Sequence, residues 1–172
     1  MIYVVTAKQE LFENPLYTII SVKDSLKLLN ECKLLEFDSE TTGRDPHLCE
    51  ILCIQFGNKE KDFQIVVDCS TVNILHYKDI LENKLLVGQN LKFDLQFLYN
   101  YGIIPRKVYD TMIVEQLLYL GYPKGIISYS LASIAERRLG IHIDKTVRGQ
   151  IIWRGLDSTV IEYAALTYWG RG

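Results

Sequence analysis

Leu34-Leu35-Glu36-Phe37-Asp38-Ser39-Glu40-Thr41-Thr42-Gly43 is an apolar run that ends in two acids and a small polar stretch. The run reads as a core strand over Leu34 to Asp38. In an extended backbone, residues two apart point to the same side, so Asp38 and Glu40 share a face. Two bare carboxylates held side by side repel and raise each other's pKa, and a divalent cation relieves that arrangement. Ser39, Thr41, Thr42 and Gly43 are small enough to let a substrate approach the backbone closely. Taken alone, an Asp-x-Glu is more often a strand end with solvated acids, so the rest of the chain must decide.

A second acidic site lies at Val87-Gly88-Gln89-Asn90-Leu91-Lys92-Phe93-Asp94. There the short apolar run Leu85 to Val87 stops at Gly88 and a helical pattern begins near Lys92, which puts Asp94 in the first turn of a helix after a strand. A third candidate is Tyr163, in the helical stretch Val160-Ile161-Glu162-Tyr163-Ala164-Ala165-Leu166. The remaining elements read from short-range signals. Ile2 to Val5 and Tyr17 to Ile20 are strand candidates, and Ser21-x-x-Asp24 starts a helix running to about Cys32. Glu50 to Phe56 and Phe63 to Val67 form a hairpin around Gly57-Asn58-Lys59-Glu60-Lys61-Asp62. Asp68 to Glu82 is a turn and helix. Lys92 to Tyr101, Asp110 to Leu120, Ser128 to Leu139 and Ser158 to Trp169 are helices, the first three closed by Gly102, Gly121 and Gly140. Adjacent strands followed by alternating strand and helix predict an α/β fold with a mixed sheet.

Composition narrows the class without naming a function. At 172 residues, 48% hydrophobic and 23% charged, the chain suits one soluble domain. No apolar run reaches the roughly 18 residues of a membrane span, and the N-terminus lacks a signal-peptide layout, so no membrane partner and a cytoplasmic location are expected. The four cysteines, Cys32, Cys49, Cys53 and Cys69, form no Cys-x-x-Cys pair and read as buried free thiols. Net charge is −2, yet Lys124 to Arg154 carries six Lys or Arg against two acids, leaving +4 there and −6 elsewhere. Such a lobe (Lys124, Arg137, Arg138, Lys145, Arg148, Arg154) beside an acidic site suits a nucleic-acid strand whose phosphates run past it. For Arg137 and Arg138 a solvated helix face is an equal alternative.

Asp38-x-Glu40, then Asn90-x-x-x-Asp94, then the Tyr163-Ala164-Ala165 helix resembles the 3′→5′ exonucleases of the DEDD (DnaQ-like) superfamily, tyrosine-bearing branch, and most of all the proofreading domain of family A DNA polymerases. Asp110-Thr111-Met112, Ser130-Leu131-Ala132 and Leu139-Gly140-Ile141 extend the likeness from about Tyr17 to Leu166. The resemblance implies a ribonuclease H-like fold, with a central mixed β-sheet flanked by helices. It also implies one exonuclease domain over 1–172, two divalent cations (Mg²⁺ or Mn²⁺), and the 3′ end of single-stranded DNA as substrate, RNA being possible. In the parent protein a polymerase domain would follow.

By the same carry-over, Asp38 bridges both ions, Glu40 completes the first, and Asp94 orders the water shell of the second. Tyr163 orients the attacking water, its ordinary pKa of about 10 making it no base at neutral pH. Thr41, Asn90 and Phe93 contact the terminal nucleotide, and Asp110 supports the site or caps its helix rather than binding metal. Two ions about 3.5–4 Å apart would activate the water and stabilise the leaving oxygen. One departure stands out: four residues after Tyr163 the family has a fourth metal-binding Asp, and here that residue is Thr167, a neutral and weak ligand for a hard cation. The chain ends at Gly172, where the resemblance has the helix continue, so a domain truncated at its C-terminal helix is expected. Two alternatives stay open: a ribonuclease D-like 3′-5′ exoribonuclease, or a catalytically weakened nucleic-acid-binding module.

Overall fold

The computed structural model describes residues 1–142 together with Asp157 and Ile161. Seven strands form one sheet: β1 (Ile2–Val5), β2 (Thr18–Ile19), β3 (Leu34–Thr41), β4 (Ile51–Asn58), β5 (Phe63–Asp68), β6 (Leu85–Gly88) and β7 (Lys107–Asp110). Their spatial order is β2-β1-β5-β4-β3-β6-β7. The middle is antiparallel, β4 pairing with both β3 and β5. The flanks are parallel: β1 lies on β5 and β2, β6 on β3, and β7 on β6. The helices are α1 (Val22–Asn30), α2 (Lys78–Asn83), α3 (Leu91–Asn100), α4 (Thr111–Leu118) and α5 (Leu131–Leu139), with 3-10 turns at Gln9–Leu11 and Ile74–Tyr77. The expected mixed sheet with flanking helices is present.

Alternation along β3 sets the two faces of the sheet. Leu35, Phe37, Ser39 and Thr41 are buried on one side, whereas Glu36, Asp38 and Glu40 are half-buried on the other. The Phe37 side holds the main core. Leu29 of α1, Ile80 and Leu81 of α2, and Leu91, Phe97 and Leu98 of α3 pack there onto Phe56, Ile65, Val67 and Leu86. Phe56 lies at its centre, its ring 5.6 Å from that of Phe37 and 5.7 Å from that of Tyr77. The opposite side carries a smaller cluster of Val4, Leu11, Tyr17, Cys53 and Val66, which Ile161 joins fully buried. Ile161 therefore docks the chain just before Tyr163 onto the face that bears Asp38 and Glu40.

Several elements depart from the sequence reading. β3 runs three residues past Asp38, because Ser39 to Thr41 keep pairing with β4. The helix begun by Ser21, whose Oγ accepts from the Asp24 N–H at 3.0 Å, stops at Asn30 rather than near Cys32. Lys107–Asp110, of which the sequence reading assigns only Asp110, as the start of a helix, is an edge strand on β6, and the helix begins at Thr111. The helix expected over Ser158 to Trp169 lies outside the described residues except for Ile161, whose N–H donates to the Asp157 carbonyl at 3.0 Å.

The four cysteines are free, Cys32 and Cys53 buried and the other two half-buried. Burial raises the Cys53 thiol pKa well above its ordinary value and that of Cys69 to about 12, which leaves both as inert thiols. Among the described residues no helix is long and apolar enough to cross a membrane.

Helices α4 and α5 are clasped by Glu115, which accepts from Arg137 Nη2 at 2.8 Å and from Arg138 Nε at 2.6 Å. Both guanidinium groups also lie over the Tyr119 ring, 5.0 and 5.7 Å from its centroid. Arg137 and Arg138 of the basic stretch are thus engaged in joining helices. Lys145, Arg148 and Arg154 lie outside the described residues.

Candidate active site

The site grows from the C-terminal end of β3 and the N-terminus of α3. On β3, Asp38 stands opposite Gln55 and Glu40 opposite Cys53, and the register slips between Glu40 and Thr41. An irregularity of this kind re-aims side chains at a strand end. The Glu40 charge helps keep the buried Cys53 thiol protonated, second to burial itself.

Gly88 ends β6 against this strand. A Cβ there would stand 2.6 Å from the Phe37 carbonyl oxygen and 2.6 Å from Leu91 Cδ2, so only glycine lets β6 approach so near Asp38. Asn90 then takes a left-handed conformation, φ 57°, and starts α3 without a side-chain cap of its own. Asp110 supplies that cap from β7. Its carboxylate accepts from the Asn90 N–H at 3.0 Å and the Leu91 N–H at 2.8 Å, and it also caps α4 through the Met112 N–H at 2.9 Å. Thr111 closes the corner by donating to Gln89 Oε1 at 2.6 Å. The supporting role expected of Asp110 is what the hydrogen bonds show, extended to a second helix.

Asp94 sits one turn into α3, 2% exposed, and accepts from Ser39 Oγ at 2.5 Å. Its pKa is raised to about 7, first by burial and then by the charge of Asp38, with the Ser39 bond acting in the opposite direction. Sequence reading took Ser39 for a small spacer; the structure makes it the donor that holds Asp94 across from β3. A buried carboxylate whose ionisation a neighbouring carboxylate opposes suits a divalent cation in charge and donor type. Among the described residues, however, no three His, Cys, Asp or Glu side chains stand close enough to hold an ion, so Asp38, Glu40 and Asp94 are not gathered as a trio here.

The expected substrate residues lie around the same corner. Asn90 is exposed at the start of α3, and Phe93 is half-buried with its ring 5.0 Å from that of Phe97. Thr41 is buried and its hydroxyl donates to the Gly43 carbonyl at 2.6 Å, an intraloop bond that occupies it. Tyr163 and Thr167 lie outside the described residues. A groove of about 460 Å³ runs past Pro46, Leu95, Tyr99 and Ile113 and reaches the capping Asp110, but none of Asp38, Glu40, Asp94, Asn90 or Phe93 lines it.

Comparison with known proteins bears on the family and the fold. A family model described as 3′-5′ exonuclease matches residues 14–166. DNA polymerase I of Aquifex aeolicus is 36% identical over 126 residues, which cover 73% of this chain and 20% of that protein. The chain spans between 12% and 20% of the length of the curated relatives it matches. Among solved structures, Trypanosoma brucei RNase D in complex with RNA U12 superposes with a TM-score of 0.74 at 16% identity, covering 96% of this chain and 58% of that one. Brucella melitensis NrnC with bound Mg²⁺ gives 0.61 at 17% identity, covering 95% and 72%. At such identities the likeness shows the fold, which is ribonuclease H-like.

Proposed function

The chain belongs to the 3′-5′ exonuclease family, and from that premise we propose that it removes nucleotides from the 3′ end of single-stranded DNA as the proofreading segment of a family A DNA polymerase. The observation that carries this reading is the pairing of Asp38 with a buried Asp94 whose ionisation it opposes, on β3 and α3 of a chain that also resembles DNA polymerase I. Divalent cations bound there, two by analogy with the family, would activate a water and stabilise the leaving 3′ oxygen. Asp38 and Glu40 would hold those ions from one face of β3. Asp94, kept in place by Ser39 and by the cap from Asp110, would hold the water shell beside them. Tyr163 would orient the attacking water by hydrogen bonding, and Asn90 and Phe93 would seat the terminal nucleotide. Thr41, with its hydroxyl bonded to Gly43, would contact substrate through its backbone.

Thr167 favours a second reading, a site that still binds single strands but cuts them slowly. It stands where the family places a fourth carboxylate, and its loss weakens the hold on one ion.

The test is degradation of 3′-labelled single-stranded DNA and RNA with Mg²⁺ and with Mn²⁺, beside the Asp38→Ala variant. The proofreading reading expects slow trimming of DNA, faster with Mn²⁺. Asp38→Ala should lower it by about 100-fold or more, since several kcal/mol of transition-state stabilisation would be lost, while the melting temperature is held. Trimming of RNA in preference to DNA would give the ribonuclease D-like role instead, and retained trimming in Asp38→Ala would remove the carboxylate from the mechanism. Binding of both strands with no cleavage of either would leave the weakened binding module.

A further inference from the structure

Gln55 is the one polar residue in the run Ile51-Leu52-Cys53-Ile54-Gln55-Phe56 of β4, and it is 3% exposed. Among the described residues its Oε1 has no hydrogen-bond partner, and its Nε2 has none beyond the neighbouring Cys53 thiol, a weak partner. The register sets it directly across from Asp38, and residues so paired in antiparallel strands point to the same face with Cβ atoms about 4.5–5.5 Å apart. Its same-face neighbours on the other side are apolar or nearly so: Val66 opposite on β5, and the Cys53 thiol two residues back, a weak hydrogen-bonding group. A buried carboxamide whose carbonyl end is unbonded and whose amide end meets only a thiol costs stability, and an apolar side chain of the same shape would fit this strand better in the metal-free protein. A cost of this kind beside a carboxylate indicates that the bonds are made in another state of the site.

We propose that Gln55 is a positioning residue of the carboxylate site, whose carboxamide hydrogen-bonds the Asp38 carboxylate and ion-bound water when a divalent cation is present. The proposal rests on the reading of Asp38 as an ion ligand. Gln55 would act through Asp38 without touching the ion, as the hydrogen-bonded partners of metal ligands do, and loss of such a partner weakens metal affinity by about 10- to 100-fold. Among the described residues the other buried polar atoms without partners, Tyr17 Oη and Gln64 Nε2, do not face Asp38 across a strand pair; Gln64 stands opposite Gly57.

The experiment measures two quantities on the full chain and on Gln55→Met, which keeps the length of the side chain and removes its polarity. These are the melting temperature with chelator and the affinity for Mn²⁺ by calorimetric titration. The expected result has opposite signs: the metal-free melting temperature is unchanged or higher, while Mn²⁺ binding weakens by about tenfold or more. A purely structural glutamine would lower the metal-free melting temperature, with or without a change in affinity, and that overturns the proposal. Unchanged Mn²⁺ affinity overturns it as well. Asp38→Asn separates this failure from failure of the underlying reading. Mn²⁺ binding lost in Asp38→Asn and kept in Gln55→Met removes Gln55 alone, and a parent chain that binds no Mn²⁺ removes both.

Discussion

At Asp94 burial and the neighbouring charge of Asp38 act in the same direction, and the consequence is measurable without any substrate. The folded-state pKa, about 7, lies above the value of about 3.9 that an aspartate has in an unfolded chain. Between those values the folded protein keeps a proton that the unfolded chain has released, so the metal-free protein loses stability as pH rises from about 4 to about 7. Asp94→Asn cannot titrate there. The difference in melting temperature between parent and variant, taken in chelator, is expected to move against the parent from pH 5 to pH 8. Saturating Mn²⁺ should shrink the movement by stabilising the ionised form. Parallel profiles for the two proteins would mean that Asp94 ionises normally. The acids themselves were legible in the sequence, because a two-residue spacing in a strand and a first-turn position in a helix are local geometry. The Ser39 bond to Asp94 was not, since it joins residues far apart in the chain whose approach depends on how α3 packs on β3.

Among the elements, α3 depends on a cap that its own sequence lacks. Asn90 makes no side-chain cap, and the carboxylate of Asp110 serves both α3 and α4. Asp110→Ala should therefore cost more than an ordinary cap: roughly 2 kcal/mol or somewhat above, the upper end for one helix. It should also lower nuclease activity, by loosening the turn that holds Asp94. Chemical denaturation together with single-strand degradation tests this, and a loss below about 0.5 kcal/mol would show that water caps α3 equally well. Gly88→Ala probes the same junction from the strand side. Its new methyl group would meet the Phe37 carbonyl, and overpacking of this kind costs about 1–3 kcal/mol. The sequence announced α3, with its Gly88 stop and apolar spacing, but not β7. Lys107-Val108-Tyr109-Asp110 is too short and too exposed to carry an alternating pattern, and its strand character comes from pairing with β6.

Across the whole molecule the site is assembled from distant stretches, and the last of them is the one where the sequence departs from its family. Ile161, fully buried against Val4, Leu11, Tyr17, Cys53 and Val66, brings the chain onto the sheet face that carries Asp38, Glu40 and Gln55. Tyr163 follows two residues later. If the helix read from the sequence continues, Thr167 comes one turn after Tyr163 and shares its face. Among the described residues Asp38, Glu40 and Asp94 form no ion-holding group of three, and where the family carries a fourth carboxylate this chain has Thr167. Thr167→Asp is expected to provide that ligand. Single-stranded DNA trimming should then rise by at least about tenfold, because restoring one charged ligand contributes several kcal/mol at most and each 1.4 kcal/mol is a factor of ten. The melting temperature in Mn²⁺ should rise relative to that in chelator by more than it does in the parent. Adding a carboxylate without a cation brings only repulsion, so in chelator the variant should melt at or below the parent temperature. Equal trimming by parent and variant, with equal stabilisation by Mn²⁺, would show that position 167 does not face the carboxylates and that the weak ligand is not what limits this exonuclease.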